Sequence, residues 1–221
     1  LPNVTSIIDT NIPNDKERAI RGNNILWIIL GLAPGCSLTN FIEKRRPDIG
    51  LFEAISFSIQ LLNIIQSFHA RGVVHRDLKP DNIQVECLEN SSLDHGKITV
   101  LDFGLAFIQK GENTFDTVNF DADRDATSEG QDLGNFWYRV PQLAAQPVRG
   151  LSDKEKNHLK QLRRSSTIDS SSTCAILFWL LTGIQPNTVC NDLKYKENFS
   201  SNSKIQNKIK EAIHDAGTYV S

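Results

Sequence analysis

The sequence predicts an α+β domain in which helices dominate. Three observations carry that expectation. From Leu51 to Arg71, apolar residues recur at helical spacing, at Leu51, Ile55, Ile59, Leu62, Ile65 and Phe68. A second run, Cys174-Ala175-Ile176-Leu177-Phe178-Trp179-Leu180-Leu181, is apolar all round, the pattern of a core helix. Between them, Ile83-Gln84-Val85 and Ile98-Thr99-Val100-Leu101 read as two strands of a hairpin, separated by the polar insert from Glu89 to Gly96.

The remaining elements follow in order. Val4-Thr5-Ser6-Ile7-Ile8 is short, β-branched and bounded by Pro and Asn, so it reads as a strand. Asn11 to Asn24 is polar, with Pro13 and Gly22, and reads as a loop. Ile25-Leu26-Trp27-Ile28-Ile29-Leu30 is a continuous apolar run of strand length, expected to be buried on both sides. It stops at Gly31-Leu32-Ala33-Pro34-Gly35, which must bend. Ser37 can cap a short helix running through Lys44, ended by Pro47 and Gly50. Gly72 is a plausible stop for the long helix that begins at Leu51. The stretch from Phe107 to Leu133 is acidic and hydroxyl-rich with little apolar periodicity, and reads as a mobile loop closing at Gly134-Asn135-Phe136-Trp137-Tyr138-Arg139-Val140-Pro141-Gln142. Leu151 to Arg164 is charged and reads as helical, and Gly183 ends the core helix. Beyond Pro186 the chain is polar, with one apolar stripe from Ile205 to Ile213 that suits a short surface helix.

Size and composition narrow the function classes. The 221 residues suffice for a substantial core, and 39% hydrophobic with 23% charged residues describes an ordinary globular protein. A formal charge of −2 gives no electrostatic case for nucleic acid or a membrane surface. No unbroken apolar run approaches the ~20 residues of a membrane span. Cys36, Cys87, Cys174 and Cys190 are scattered without a C-x-x-C pair, which reads as four reduced thiols in an intracellular, cytoplasmic protein. The start, Leu1-Pro2-Asn3-Val4, is neither an initiator methionine nor a signal peptide, and the chain contains no Met, so it reads as a fragment.

The chemistry concentrates in His75-Arg76-Asp77-Leu78-Lys79-Pro80-Asp81-Asn82, followed by Asp102-Phe103-Gly104. Moving an anionic phosphoryl group needs a carboxylate to orient a hydroxyl, a cation for the developing charge, and oxygen ligands for Mg²⁺. Asp77, Lys79, and the pair Asn82 with Asp102 supply those roles in that order. The hairpin explains how the last two converge, since Asn82 enters it and Asp102 leaves it. Both motifs resemble the catalytic loop and metal-binding motif of the eukaryotic-type protein kinases.

That resemblance implies a protein kinase-like fold, mainly its helical C-terminal lobe with a remnant of the N-terminal lobe sheet. Residues 1–30 would be the last two strands of the small lobe, 31–35 the hinge, and 36–221 the C-terminal lobe. It implies ATP and Mg²⁺ as cofactors and a protein substrate accepting phosphate on Ser or Thr, the latter because of Lys79. Leu30, Leu32 and Gln84 would line the adenine site, although the family position of Gln84 is usually apolar. His75 would be a packed structural histidine, Phe103 would pack behind the site, and Asp169 would hold the catalytic-loop backbone, the plainer alternative being an N-cap. His69 reads as a surface or packing residue. Arg76 would await a phosphate on the mobile loop, with Thr127 and Ser128 as candidate acceptors; Asp121, Asp123 or Asp125 are its alternative partners.

The sequence also departs from the family. Val140-Pro141-Gln142 stands where the family has Ala-Pro-Glu, and no arginine follows Arg164 to form the usual ion pair. No G-x-G-x-x-G precedes the hinge and no lysine lies in an apolar strand there. Truncation accounts for this more simply than a pseudokinase or scaffold that keeps a catalytic loop without a phosphate clamp. Small-molecule phosphotransferases of the aminoglycoside type share H-x-D-x-x-x-x-N, but lack the counterparts of Lys79 and Gly104.

Overall fold

The computed structural model describes residues 3–12, 27–45, 49–87, 92–108, 132–140, 143–144 and 150–186. Among them the helices are α1 (Leu38–Arg45), α2 (Leu51–His69), α3 (Asp153–Leu162) and α4 (Thr167–Thr182). The strands are β1 (Ile7–Thr10), β2 (Ile28–Leu30), β3 (Cys36–Ser37), β4 (Val73–Val74), β5 (Ile83–Glu86), β6 (Lys97–Val100) and β7 (Phe107–Ile108). Strands β3, β5 and β6 form an antiparallel sheet in the order β3-β5-β6, while β1 pairs with β2 and β4 with β7, both antiparallel. This is the α+β class expected from the sequence. Residues 13–26, Pro141, Gln142, Thr127, Ser128, Cys190 and the stripe from Ile205 to Ile213 lie outside the described residues.

The core is built around α2, against which α4 packs. The buried face of α2 is Ala54, Phe57, Ser58, Leu61, Ile65 and Phe68, spaced as one helical stripe. The Ser58 hydroxyl is satisfied inside it by donating to the Ala54 carbonyl (2.8 Å). Of the recurrence read from the sequence, Ile65 and Phe68 lie on this face, whereas Ile55, Ile59 and Leu62 face outward. The period was legible but the face was not. Apolar residues occupy more than half the circumference of α2, and α4 decides which part is covered.

By composition α2 also reaches a mean hydropathy of 1.3, so among the described residues one helix is long and apolar enough to cross a membrane. The expectation drawn from unbroken apolar runs missed this because Glu53 and Asn63 interrupt the pattern without lowering its mean far. The apolar content has a use within the fold: all six buried positions except Ser58 belong to the main core.

That core joins Leu38 and Ile42 of α1 to Ile83, Val85, Ile98 and Val100 of the three-stranded sheet, and to Ile176, Trp179 and Leu180 of α4. Leu78, within the 75–82 loop, is part of it. Leu133, Leu143 and Ile168 form a smaller cluster against which Leu105 and Val140 pack. Glu53 fastens the base of α2: its carboxylate accepts from Arg45 Nη1 (2.9 Å) and from the Leu93 backbone amide.

The β1–β2 pair differs from expectation. The strand expected to be buried on both sides is short, Ile28–Leu30, and its three residues are 48%, 49% and 53% exposed. A strand is buried only by what is laid against it, and among the described residues β2 has one partner strand, β1. The first strand begins at Ile7 rather than Val4. Val4 instead bridges Val100, and Asn3 donates through Nδ2 to the Ile98 carbonyl (2.8 Å), tying the start of the described chain to β6.

Local rules explain the helix ends. Ser37 Oγ accepts from the Asn40 amide (3.3 Å) at the start of α1, which ends at Arg45, and Gly50 caps α2 rather than ending α1. Helix α3 opens with a capping box between Ser152 and Glu155, whose hydrogen bonds hold the Glu155 carboxyl below its usual range. Gly35, at φ 92°, has no room for a side chain: a Cβ there would lie 2.1 Å from the Val85 carbonyl oxygen. Among the described residues Cys36, Cys87 and Cys174 form no disulfide.

The two faces of α2 should respond differently to truncation. Phe57→Ala removes a wholly buried ring and is expected to cost ~3–5 kcal/mol. Ile59→Ala on the outer face should stay within about 0.5 kcal/mol. Urea unfolding of the two variants measures both; equal losses would mean that the outer face is covered.

Candidate active site

The loop from His75 to Asn82 follows β4 and is held from below by α4. Asp169, in the first turn of α4, is 0% exposed. Its Oδ2 accepts from the His75 amide and its Oδ1 from the Arg76 amide, both at 2.8 Å. His69 Nε2, at the end of α2, lies 2.8 Å from the same Oδ2. Three donors thus satisfy a carboxylate that would be costly to bury alone. Arg76 takes left-handed backbone, φ 66°, which the two amide bonds stabilise.

His75 is 0% exposed and both ring nitrogens are engaged. Nδ1 accepts from the Asp77 amide (3.3 Å), so Nε2 carries the proton and donates to the Leu101 carbonyl (2.9 Å). Its ring lies 4.7 Å from that of Phe103, which meets Phe68 of α2 edge-on at 5.4 Å. The histidine therefore has no lone pair to offer a reacting group. Arg76 is buried, donates through Nε to the Leu105 carbonyl (2.7 Å), and places its guanidinium 5.7 Å from the Phe107 ring. Arg164 stacks on the same ring at 4.9 Å.

Asp77 is brought against three donors. Oδ2 accepts from Lys79 Nζ (3.1 Å) and Asn82 Nδ2 (3.2 Å), and Oδ1 accepts from the Asn135 backbone amide (2.7 Å). Asn82 Nδ2 also donates to the Asp77 carbonyl (3.0 Å). With its amide nitrogen so committed, Asn82 turns an acceptor oxygen, Oδ1, to which no described group donates. A short 3₁₀ turn, Pro80–Asn82, delivers Asn82 into β5, and Ile83 pairs with Val100. The Leu101 amide donates to the Asn82 carbonyl (2.8 Å), which sets Asp102 beside Asn82.

Asp102 is exposed, with φ 59°, and its Oδ1 accepts from the Gly104 amide (3.1 Å). A carboxylate oxygen and an amide oxygen remain open on neighbouring backbone. That hard-oxygen pair suits Mg²⁺, which binds through one or two protein ligands and keeps waters and phosphate oxygens for the rest. Among the described residues no group of three or more His, Cys, Asp or Glu could hold a metal.

The residues expected at the adenine side are less gathered. Leu30 is 53% and Leu32 97% exposed, while Gln84 is half-buried on β5. Gln84 Oε1 is buried without a hydrogen-bond partner among the described residues, an acceptor available to a ligand or a water. Sequence reasoning gave His69 only a surface or packing role, and gave Asn135 none. Neither was legible, because His69 acts on a residue 100 positions away and Asn135 contributes its backbone amide, which any residue but proline has.

Comparison with known proteins places this geometry. A family model described as the protein kinase domain matches residues 10–216. The chain is 36% identical over 111 residues to "Probable serine/threonine-protein kinase fhkA" of Dictyostelium discoideum, covering 50% of this chain and 17% of that protein. It is 35% identical over 104 residues to "Sperm motility kinase Z" of Mus musculus, covering 47% and 18%. Against "Serine/threonine-protein kinase CHK1" of Mycosarcoma maydis the match is 26% over 176 residues, covering 79% and 21%. The chain thus spans about a fifth of the length of the curated relatives it matches, or less.

The Asp169 anchor gives a stability prediction. Asp169→Ala strands two buried backbone amides at ~1–3 kcal/mol each and should cost about 2–6 kcal/mol in total. Asp169→Asn keeps one acceptor and should cost less. Thermal or urea unfolding of both variants would show the order; an alanine variant as stable as the parent would deny Asp169 the anchoring part.

Proposed function

This chain belongs to the protein kinase domain family, and from that premise we propose that it transfers the γ-phosphate of ATP to serine or threonine hydroxyls of a protein substrate. The observation that supports this reading best is the setting of Asp77, a nearly buried carboxylate (8% exposed) in contact with an ammonium and an amide from its own loop. A base for a hydroxyl must be fixed in position and still have a lone pair to offer. Asp77 meets both conditions.

In the proposed reaction the acceptor hydroxyl donates to Asp77, which takes the proton as the new O–P bond forms. The β–γ bridging bond breaks, and its electron pair leaves with ADP. Lys79, beside Asp77, faces the charge that develops on the transferring group. Mg²⁺, held by Asn82 and Asp102, would neutralise phosphate charge. His75 and Phe103 support the loop from behind, and Asp169 fixes its backbone.

Within this reading, residues 1–30 belong to the small lobe and 31–35 to the hinge. Leu30, Leu32 and Gln84 contact the base, where the open acceptor of Gln84 is a departure from an apolar floor. Phosphorylation at Thr127 or Ser128 would offer Arg76 a charged partner in addition to its contacts with Leu105 and Phe107.

In the protein that carries this chain, Asp77→Asn should lower phosphotransfer ~10²–10⁴-fold while Mg·ATP binding and unfolding temperature stay near those of the parent. Asp102→Asn should instead raise the Mg²⁺ concentration needed for half-maximal rate. Radiolabelled phosphate transfer with a metal titration distinguishes the two. Turnover within threefold of the parent for Asp77→Asn would remove the assignment.

A further inference from the structure

We propose that Gln84 is the specificity-determining residue on the base side of the site: its amide opposes a nucleobase laid on the sheet, so that the chain holds Mg·ATP by its phosphates and only weakly by its base. This rests on the phosphotransfer reading above. Side chains alternate between the two faces of a strand. Ile83 and Val85 of β5 turn into the main core, so Gln84 between them turns to the opposite face of the sheet. It lies two residues beyond Asn82, on the strand that leads away from the open oxygens of Asn82 and Asp102.

Two features of this side chain bear on a ligand. The first is its oxygen: among the described residues nothing donates to the buried Oε1. The register sets Ser37 of β3 and Thr99 of β6 directly beside Gln84, both with hydroxyls, yet neither donates to it. A buried amide oxygen without a donor is uncommon in folded chains and lowers stability. The second feature is exposure. Gln84 is only half-buried, so the face of the sheet away from the core leaves part of it open to water.

A planar base carries its N–H donors and lone pairs at its edges and none on its ring faces. Laid on Gln84, such a face takes water from the exposed part of the amide and returns no hydrogen bond, while Oε1 stays as unpaired as before. An apolar side chain of the same length would meet the ring face without that loss. Leu30 and Leu32, the other residues expected on the base side, are exposed and bring little packed surface to offset it. Lys79 and the open oxygens of Asn82 and Asp102 handle the phosphates, and nothing in their contacts involves position 84. Base and phosphates are therefore read by separate groups, and Gln84 weights the balance toward the phosphates.

Calorimetry on the protein that carries this chain tests the division, with two ligands: Mg·ATP, and Mg·tripolyphosphate, which has the phosphates and no base. Gln84→Met keeps the length of the side chain and removes its amide. It should tighten Mg·ATP about tenfold or more, the scale of one unpaired buried polar group. Mg·tripolyphosphate should stay within about twofold, as for sites that share no partner. Gln84→Leu should act in the same direction as Gln84→Met. Gln84→Asn keeps an amide and should stay within about threefold of the parent. Mg·ATP binding that is unchanged, weaker or absent in both apolar variants overturns the proposal. An equal gain for Mg·tripolyphosphate also overturns it, because the effect would then lie outside the base contact. A parent and variants that follow the expected pattern but transfer no phosphate to a serine/threonine peptide library count against the phosphotransfer reading alone, and the affinity comparison still decides the part of Gln84.

Discussion

The wholly buried carboxylate of Asp169 is the interaction on which the candidate site depends. It binds the backbone of His75 and Arg76 and the ring of His69, and so fastens the end of α2, the His75–Asn82 loop and the start of α4 to one point. A charge in the interior is tolerated when its oxygens are fully engaged, and becomes expensive as soon as a donor is lost. The same bonds hold Arg76 in left-handed backbone, a conformation costing about 1–2 kcal/mol for a residue with a side chain. That local strain turns the chain so that Asp77 comes back across the loop toward Lys79 and Asn82.

Behind this anchor, groups that face inward spend their hydrogen bonds on backbone, and groups that face outward keep some in reserve. Both nitrogens of His75 are taken, by the Asp77 amide and the Leu101 carbonyl. Phe68, Phe103 and His75 form a continuous run of ring contacts from α2 to the loop. At the loop, Asn82 Oδ1 and Asp102 Oδ2 have no described donor, and Asp77 Oδ1 accepts only one. Open oxygen acceptors beside one ammonium are the complement of a phosphate with its divalent cation.

The family was legible in the sequence because Asp77, Lys79, Asn82 and Asp102 are side chains whose type and spacing carry the resemblance. Helix periods were legible for the same reason, since periodicity is a property of the chain itself. What was not legible depends on partners distant in sequence. The outer residues of α2, Ile55 and Ile59, are as apolar as Ile65, and which side α4 covers is decided in three dimensions. The apolar run ending at Leu30 has the composition of a buried strand, yet composition does not state whether a second layer lies over it. His69 carried no local sign of a carboxylate far along the chain. The Asn135 contact comes from a backbone amide, which no residue type advertises.

The division of the core separates the two halves of the proposed reaction. The main cluster draws on α1, α2, α4, β5 and β6, and no residue of β1 or β2 belongs to its buried set. The β1–β2 pair is closed within itself by the bond from the Gly31 amide to the Ser6 carbonyl, and contacts β6 through Val4 at Val100 and Asn3 at Ile98 and Val100. The groups that would handle the phosphoryl and the hydroxyl are thus fixed by tightly packed interior, where displacement has a large energetic cost. Leu30 and Leu32, which would contact the base, sit on exposed backbone with little packed against their side chains. In the proposed reaction, placement of Asp77 and contact with the base would therefore rest on different parts of the chain.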